Sequence, residues 1–411
     1  MRIALASFGS RGDVQPFIVL GLALVRAGHE VVLCASRDFA ELVATHGLPF
    51  HEIGQDFQAS LRATEGRLGA MVDLTHESIT RQLETLPQAV EGSDLLVATG
   101  GLLTGPSVAQ ALGIPYRYVS FCPRLQRSRY HTAPAIPINH APQWFNRLTW
   151  WLNSTAWNMA AREPLDAWRA RRGLGPSRDL FHEAVTEAPL LAADPLLAPL
   201  PPDLLGNVPQ VGAFLMEDPR PLPAEVEAFL DGGEPPVYIG FGSMVDSDPV
   251  QLTREVVKAA RAAGVRAILS RGWTGLGGGE ALPPEVLALG PVSHSALLPR
   301  VRAMVHHGGA GTTHAAALAG IPQVIVPHHL DQHYWADRVH TLGVAPEPLK
   351  RSRLTARQLA EVLRWSLQPE SRQRARELAV WIRRDGAEQA VDWLTRGVAP
   401  ARSDSRVRRG A

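Results

Sequence analysis

Apolar positions fall in short dense runs separated by stretches with helical spacing. Arg2 to Phe8 combines high apolar density with little alternation, the pattern of a strand covered on both faces. Asp13 stands where a helix beginning near Val14 needs a cap, and Pro16 falls in the first turn, where its missing N–H costs little. Phe17, Leu20, Leu24 and Val25 recur at helical spacing, Gly28 supplies a stop, and Val31 to Ala35 reads as a second strand. This strand–helix–strand unit is the building block of a parallel sheet. Leu95–Ala98, Ser107–Leu112 and Tyr116–Ser120 repeat the same alternation of strand, helix and strand.

Between about 140 and 170 lies a helix-like stretch carrying Trp144, Phe145, Trp150, Trp151, Trp157 and Trp168. Helical core packing is the plain reading of these rings, and an apolar ligand pocket is the functional one. Prolines then crowd the chain from Gly206 to Pro236, a linker-like composition. A second set of elements follows: strands at Val237–Phe241, Val265–Leu269, Ala303–His306 and Gln323–Val326, with helices over Leu252–Ala263 and Gly311–Ala319. The pattern predicts two α/β halves: residues 1–207, a linker at 208–235, and 236–372, then a last helix over 373–395. The Arg-, Ser- and Gly-rich end, 396–411, reads as a disordered tail.

With 411 residues and 45% hydrophobic positions, the chain suits two domains of ordinary globular composition. A formal net charge of +1 argues against nucleic acid as a partner. The two cysteines, Cys34 and Cys122, form neither a disulfide framework nor a metal-type spacing, which favours a reducing cytoplasm. The apolar run from Ile3 to Phe8 is too short for a signal peptide core, and no later run approaches a membrane span. Neither Lys258 nor Lys350, the only lysines, lies in a P-loop, and no Gly-x-Gly-x-x-Gly follows either first strand.

One segment carries chemistry. His307-Gly308-Gly309-Ala310-Gly311-Thr312-Thr313 sits between a strand and a helix. Glycines allow close backbone approach, the helix start offers free N–H groups, and Thr312, Thr313 and a histidine add donors for an anion. If that anion is a departing diphosphate, such donors stabilise the transition state without a metal. The next strand ends in Asp331-Gln332, a carboxylate and an amide suited to sugar hydroxyls.

Residues 290–344, from Gly290-Pro291-Val292-Ser293-His294 through the histidine–glycine loop to Asp331-Gln332, resemble the donor signature of glycosyltransferase family 1. The nearest branches are the bacterial vancomycin-type antibiotic glycosyltransferases and the sterol glucosyltransferases, and Gly9-Ser10-Arg11-Gly12-Asp13-Val14-Gln15-Pro16 is similar to both. The resemblance implies a GT-B fold: two Rossmann-like domains facing each other across a cleft, the N-terminal one for the acceptor, the C-terminal one for the donor, with the last helix crossing back. It implies that His307, Gly309, Gly311, Thr312 and Ser243 meet the diphosphate, that Asp331 and Gln332 bind sugar hydroxyls, and that Val292 and Ser293 meet the base through their backbones.

An inverting transfer to a hydroxyl needs a base, and Asp13 is the candidate by position and by resemblance to vancomycin-type enzymes; helix capping is its other reading. Plant members carry an acidic ribose-binding residue eight positions beyond the phosphate histidine. Here that position is Ala315, which suits dTDP and loosens the case for UDP.

The expected reaction is a metal-independent, inverting transfer of a hexose from a dTDP- or UDP-sugar co-substrate, with no cofactor. A small hydrophobic secondary metabolite is the expected acceptor, and Trp144, Trp150 and Trp151 are candidates for its binding. A sterol or lipid acceptor is the second reading, a non-catalytic partner protein a third, and a nucleotide-sugar 2-epimerase a fourth. The expected state is a monomer or weak homodimer, without an integral membrane segment, with room left for peripheral membrane contact.

Four features have plainer readings. Asp246-Ser247-Asp248 has a metal-binding spacing but sits where capping and turn chemistry explain it. Arg117, Arg124, Arg127 and Arg129 read as a solvated loop, with an acidic acceptor or a membrane surface as the other reading. Trp273 suits either base stacking or core packing, and His306 reads as structural.

Overall fold

In a computed structural model, residues 1–56, 68–218, 220–279 and 281–398 are described, with side chains of 68–74 excepted. The tail expected from 396 onward therefore lies almost wholly outside the described residues. The chain divides into two compact units: Met1–Ser120, Ser154–Leu190 and Ala387–Ala411 form the first, and Phe121–Asn153 with Leu191–Gly386 the second.

In the first unit, β1 (Arg2–Phe8), β2 (Glu30–Ala35), β3 (Phe50–Glu52), β4 (Leu95–Gly100) and β5 (Tyr116–Ser120) run in the order β3-β2-β1-β4-β5, all parallel. Six of the seven β1 residues are buried, as a strand covered on both faces requires. Helix Arg11–Arg26 buries Val14, Phe17, Ile18, Leu20 and Leu24. Its cap is Ser10, not Asp13, so the helix begins earlier than the apolar spacing suggests. Polar Arg11 and Gly12 complete a first turn whose start the apolar pattern cannot mark. The closing helix, Gly386–Thr395, belongs to this unit, with Glu388 paired to Arg26 at 2.8 Å and Trp393 beneath the Arg117 guanidinium.

The second unit contains β8 (Val237–Gly240), β9 (Ala267–Ser270), β10 (Val286–Leu289), β11 (Met304–His306) and β12 (Gln323–Ile325), parallel and in the order β10-β9-β8-β11-β12. β6 (Leu190–Ala192) and β7 (Gln210–Val211) form a further parallel pair. The proline-rich stretch is not featureless: helix Ala224–Asp231 packs Val226 and Leu230 with Tyr238, Ile268 and Met304. The single helix expected over 373–395 is two, Pro369–Ala379 and Gly386–Thr395, separated at 380–385 where Val380 and Trp381 stand exposed.

The five strands around each switch point share one order, reversing direction between β1 and β4 in one unit and between β8 and β11 in the other. Loops leaving the carboxyl ends of strands at such a switch point are where open α/β sheets hold ligands.

Candidate functional site

In the second unit the two switch-point loops meet. Gly242 follows β8 and His307 follows β11. A Cβ on Gly242 would stand 2.9 Å from His307 Cε1, and one on Gly309 would stand 2.6 Å from His307 Nε2. The imidazole thus lies between two backbones that must lack side chains, with Nε2 beside Gly309. Gly309 is also the N-cap of helix Ala310–Leu318 and provides no side-chain cap. The N–H groups of Ala310, Gly311 and Thr312 therefore meet no capping side chain, and the positive end of the helix is open. Thr313 is fully buried and its hydroxyl donates to Gly309 O at 2.9 Å, so it does not serve as an outward donor; Thr312 remains partly exposed.

Two histidines have different jobs. His306 is fully buried; its Nδ1 accepts from Gly308 N–H at 3.1 Å, so Nε2 carries the proton and donates to Gln323 Oε1 at 2.9 Å. That agrees with a structural reading. Burial pushes its pKa down to about 4. Burial, reinforced by His306, His328, His329 and His294, pushes His307 down to about 3. His307 is therefore a neutral ring at ordinary pH, and its Nδ1 is buried with no protein partner.

Ser243 lies half-buried in a loop held at three points. Trp273 N–H donates to Gly242 O at 3.0 Å, the Thr274 hydroxyl to Met244 O at 2.8 Å, and Arg351 Nε to Asp246 Oδ2 at 2.7 Å. Asp248 caps helix Pro249–Ala263 by accepting from Gln251 N–H. Asp246 and Asp248 thus serve pairing and capping. Among the described residues no group of three His, Cys, Asp or Glu is placed to hold a metal. Ser293 caps the short helix His294–Leu297, beside half-buried Val292, and Ala315 packs against an apolar cluster.

Asp331 opens helix Gln332–Thr341 directly after Leu330, a non-glycine residue at φ +54°, a strained conformation of the kind found at functional turns. Asp331 Oδ2 accepts from the Trp335 indole N–H at 3.0 Å. Burial raises its pKa above the ordinary carboxylate value, opposed by the Trp335 bond and by the charge of Arg124. Gln332 is buried: its Oε1 accepts from His328 N–H at 2.7 Å and His329 N–H at 3.2 Å, and its Nε2 approaches Met244 Sδ. Its amide is engaged in shaping the loop.

In the first unit, Ser10 and Asp13 form a capping box. The Ser10 hydroxyl accepts from Gly12 N–H at 3.2 Å, and Asp13 Oδ2 accepts from Ser10 N–H at 2.8 Å. The other oxygen, Oδ1, faces Gly100, where an added Cβ would stand 3.4 Å away. Tyr118 donates to Gly100 O at 2.9 Å, and its pKa is raised by burial and by the Asp13 charge.

The tryptophans separate. Trp150 is 3% exposed and its indole N–H donates to His131 O at 3.2 Å, so core packing accounts for it, while Trp144 (67%) and Trp151 (62%) stand open. Trp157 stacks on Phe181. Arg124 corrects the solvated-loop expectation: it is buried, held by Asn139, Thr132, Ala133 and Ile136, because the segment that follows folds back over it. The roles of Gly242 and the Asp246–Arg351 pair carry no sequence signal beyond a glycine after a strand. Arg124 carries none.

Residues 3–130 match the profile of the glycosyltransferase family 28 N-terminal domain, and 274–389 that of the erythromycin biosynthesis protein CIII-like C-terminal domain. Glycosyltransferase GtfE of Amycolatopsis orientalis is 41% identical over 410 residues, 96% of this chain and 97% of its own. The vancomycin aglycone glucosyltransferase of the same organism is 39% identical, covering 97% and 98%. The chain belongs to the bacterial antibiotic glycosyltransferases. It is related more distantly to sterol 3-beta-glucosyltransferases, such as that of Candida albicans, 33% identical over 88% of this chain but only 25% of that protein. The solved glycotransferase of kitacinnamycin superposes with a TM-score of 0.74 at 20% identity, covering 97% of this chain and 99% of that one, and shows the same GT-B fold. As a glycosyltransferase the protein is an enzyme that acts on small molecules. Among its described residues no helix is long and apolar enough to cross a membrane.

Proposed function

We propose that this glycosyltransferase moves a hexose, with inversion, from a dTDP- or UDP-sugar to a small hydrophobic secondary metabolite in the cytoplasm. The observation that carries the donor side is the uncapped start of helix Ala310–Leu318 with His307 Nε2 beside it. Gly309, Gly311, Thr312 and Ser243 complete the diphosphate cradle, and these donors stabilise the charge that develops as the bond to the anomeric carbon breaks. Asp331 accepts from sugar hydroxyls, while Gln332 fixes the turn that presents it. Val292 and Ser293 meet the base through their backbones. Ala315 supplies no ribose acceptor, which favours dTDP.

On the acceptor side, Asp13 takes the hydroxyl proton through Oδ1, the oxygen that faces Gly100, while Oδ2 is held by Ser10. Residues 1–207 supply the acceptor-binding part and 236–372 the donor-binding part. The vancomycin aglycone relative favours an antibiotic aglycone, for which exposed Trp144 and Trp151 offer apolar contact. A sterol or lipid acceptor is the second reading, supported by the sterol relatives.

The test is nucleoside diphosphate release by purified protein given dTDP- and UDP-glucose with a panel of antibiotic aglycones, vancomycin aglycone among them, and sterols. Release that depends on an aglycone, with a β-linked product from the α-linked donor, is expected. Release that is independent of any acceptor would overturn the reading.

A further inference from the structure

Arg124 is 1% exposed, and among the described residues no carboxylate bonds to it. Its partners are all neutral: Asn139 Oδ1 at 3.1 Å, the Thr132 hydroxyl, and the carbonyls of Ala133 and Ile136. Its Nε–H is buried with no partner. A guanidinium sealed away without a bonded counter-charge is costly to bury, and its field reaches neighbouring charges with little screening. The groups that feel it include Cys122 and His131 on its own segment and Asp331, His333, Tyr334 and Asp337 on the facing helix.

The same segment docks on the first turns of that helix. Asn139, which holds Arg124 through Oδ1, donates through Nδ2 to His333 O at 3.0 Å, two residues past Asp331. His140 Nε2 meets Asp337 Oδ1 at 3.0 Å. Cys122 shares an apolar cluster with Trp335, whose indole holds Asp331 Oδ2. Arg124 thus reaches Asp331 by two routes, a chain of hydrogen bonds to its helix and a charge.

We propose that Arg124 is a positioning residue for the donor sugar: through Asn139 it braces the start of the helix that Asp331 opens, and it supplies the positive charge that keeps that carboxylate an acceptor for sugar hydroxyls. The proposal rests on the reading of Asp331 as sugar-binding. Asp331 lies in surroundings that favour its protonated form, opposed by the Trp335 N–H and by Arg124. A protonated Asp331 would lose most of its capacity to accept from two hydroxyls. Nothing in this role touches the nucleotide or the diphosphate, so the effect belongs to the sugar alone.

The experiment compares R124M, R124K, N139A and D331N in the full chain. The readouts are the affinities for dTDP-glucose and for dTDP (or the UDP pair, if bound better), and the pH profile of kcat/KM for the donor. R124M is expected to weaken dTDP-glucose binding about tenfold, leave dTDP within about twofold, and move the acidic limb up by about one pH unit. R124K is expected to leave the limb in place, because the charge survives. N139A is expected to weaken dTDP-glucose by about threefold, again leaving the limb in place. Equal loss of both ligands in R124M, or an unmoved limb with unchanged sugar affinity, would overturn the proposal. If R124M does not fold, an acidic limb displaced in R124K, or N139A indistinguishable from the parent, does so instead. D331N separates the two layers. If it leaves the dTDP-glucose to dTDP ratio unchanged, the reading of Asp331 fails; if it collapses the ratio while R124M does not, only the role of Arg124 fails.

Discussion

The turn after β1 and the turn after β11 are the same structural unit, a parallel strand at a switch point leading through glycines into a helix. They differ in how the helix begins. After β1, Ser10 and Asp13 close the first turn with a capping box, so the chain satisfies its own N–H groups. After β11, Gly309 provides no side chain, and the N–H groups of the first turn are left for a ligand. A cap is worth about 1 kcal/mol. The second turn forgoes that stabilisation, and the anion site proposed above would use the N–H groups it leaves uncapped. In the first turn the capping carboxylate is itself the candidate base, with one oxygen held and the other facing Gly100.

The largest expected effect comes from Asp13→Asn. The amide oxygen can still accept from Ser10 N–H, so the cap largely survives while the base is lost. kcat is expected to fall about 10²–10⁴-fold with a melting temperature within a few degrees of the parent. Lost stability with unchanged kcat would make Asp13 a cap and nothing more. His307→Ala comes next: kcat/KM should drop about 10²–10³-fold, as for loss of one transition-state donor, with the fold retained. Ser10→Ala should cost about 1 kcal/mol in chemical denaturation while donor affinity stays unchanged. A large loss of donor affinity in that variant would erase the distinction between the two turns.

The smallest effect is the stability change from substituting Asp331. Its folded pKa is raised by burial, so the ionised form costs stability above that pKa, and the cost disappears as pH falls below the ordinary carboxylate range. Asp331→Asn should therefore raise the melting temperature slightly at neutral pH, and the gain should shrink in acid. A variant that melts lower than the parent at neutral pH would contradict that sign.

The alternation of strands and helices was legible because the buried strands are short apolar runs and the helices repeat at fixed spacing; Tyr116–Ser120 agrees to the residue. The place of the histidine–glycine loop between a strand and a helix was legible because an apolar run precedes it and an alanine-rich helical stretch follows. What stayed hidden depends on chain reversal. Arg124 looked solvated because its cover, Thr132 to Asn139, is a short stretch broken by Pro134 and Pro137, with no periodicity to announce that it folds back. The capping role of Ser10 was missed because Asp13 matched a cap equally well and the first turn, Arg11-Gly12, is polar. Trp150 and Trp151 are adjacent and identical in type, and only the helix face decides which one is buried.

The central claim, that the helix start at Ala310 and not the one at Arg11 receives the diphosphate, is tested most directly by ¹⁵N-glycine spectra of the protein titrated with dTDP or UDP. The account predicts that Gly309 and Gly311 amides shift early and saturably while Gly12 stays in place. Movement of Gly12 with Gly309 and Gly311 unmoved would contradict it.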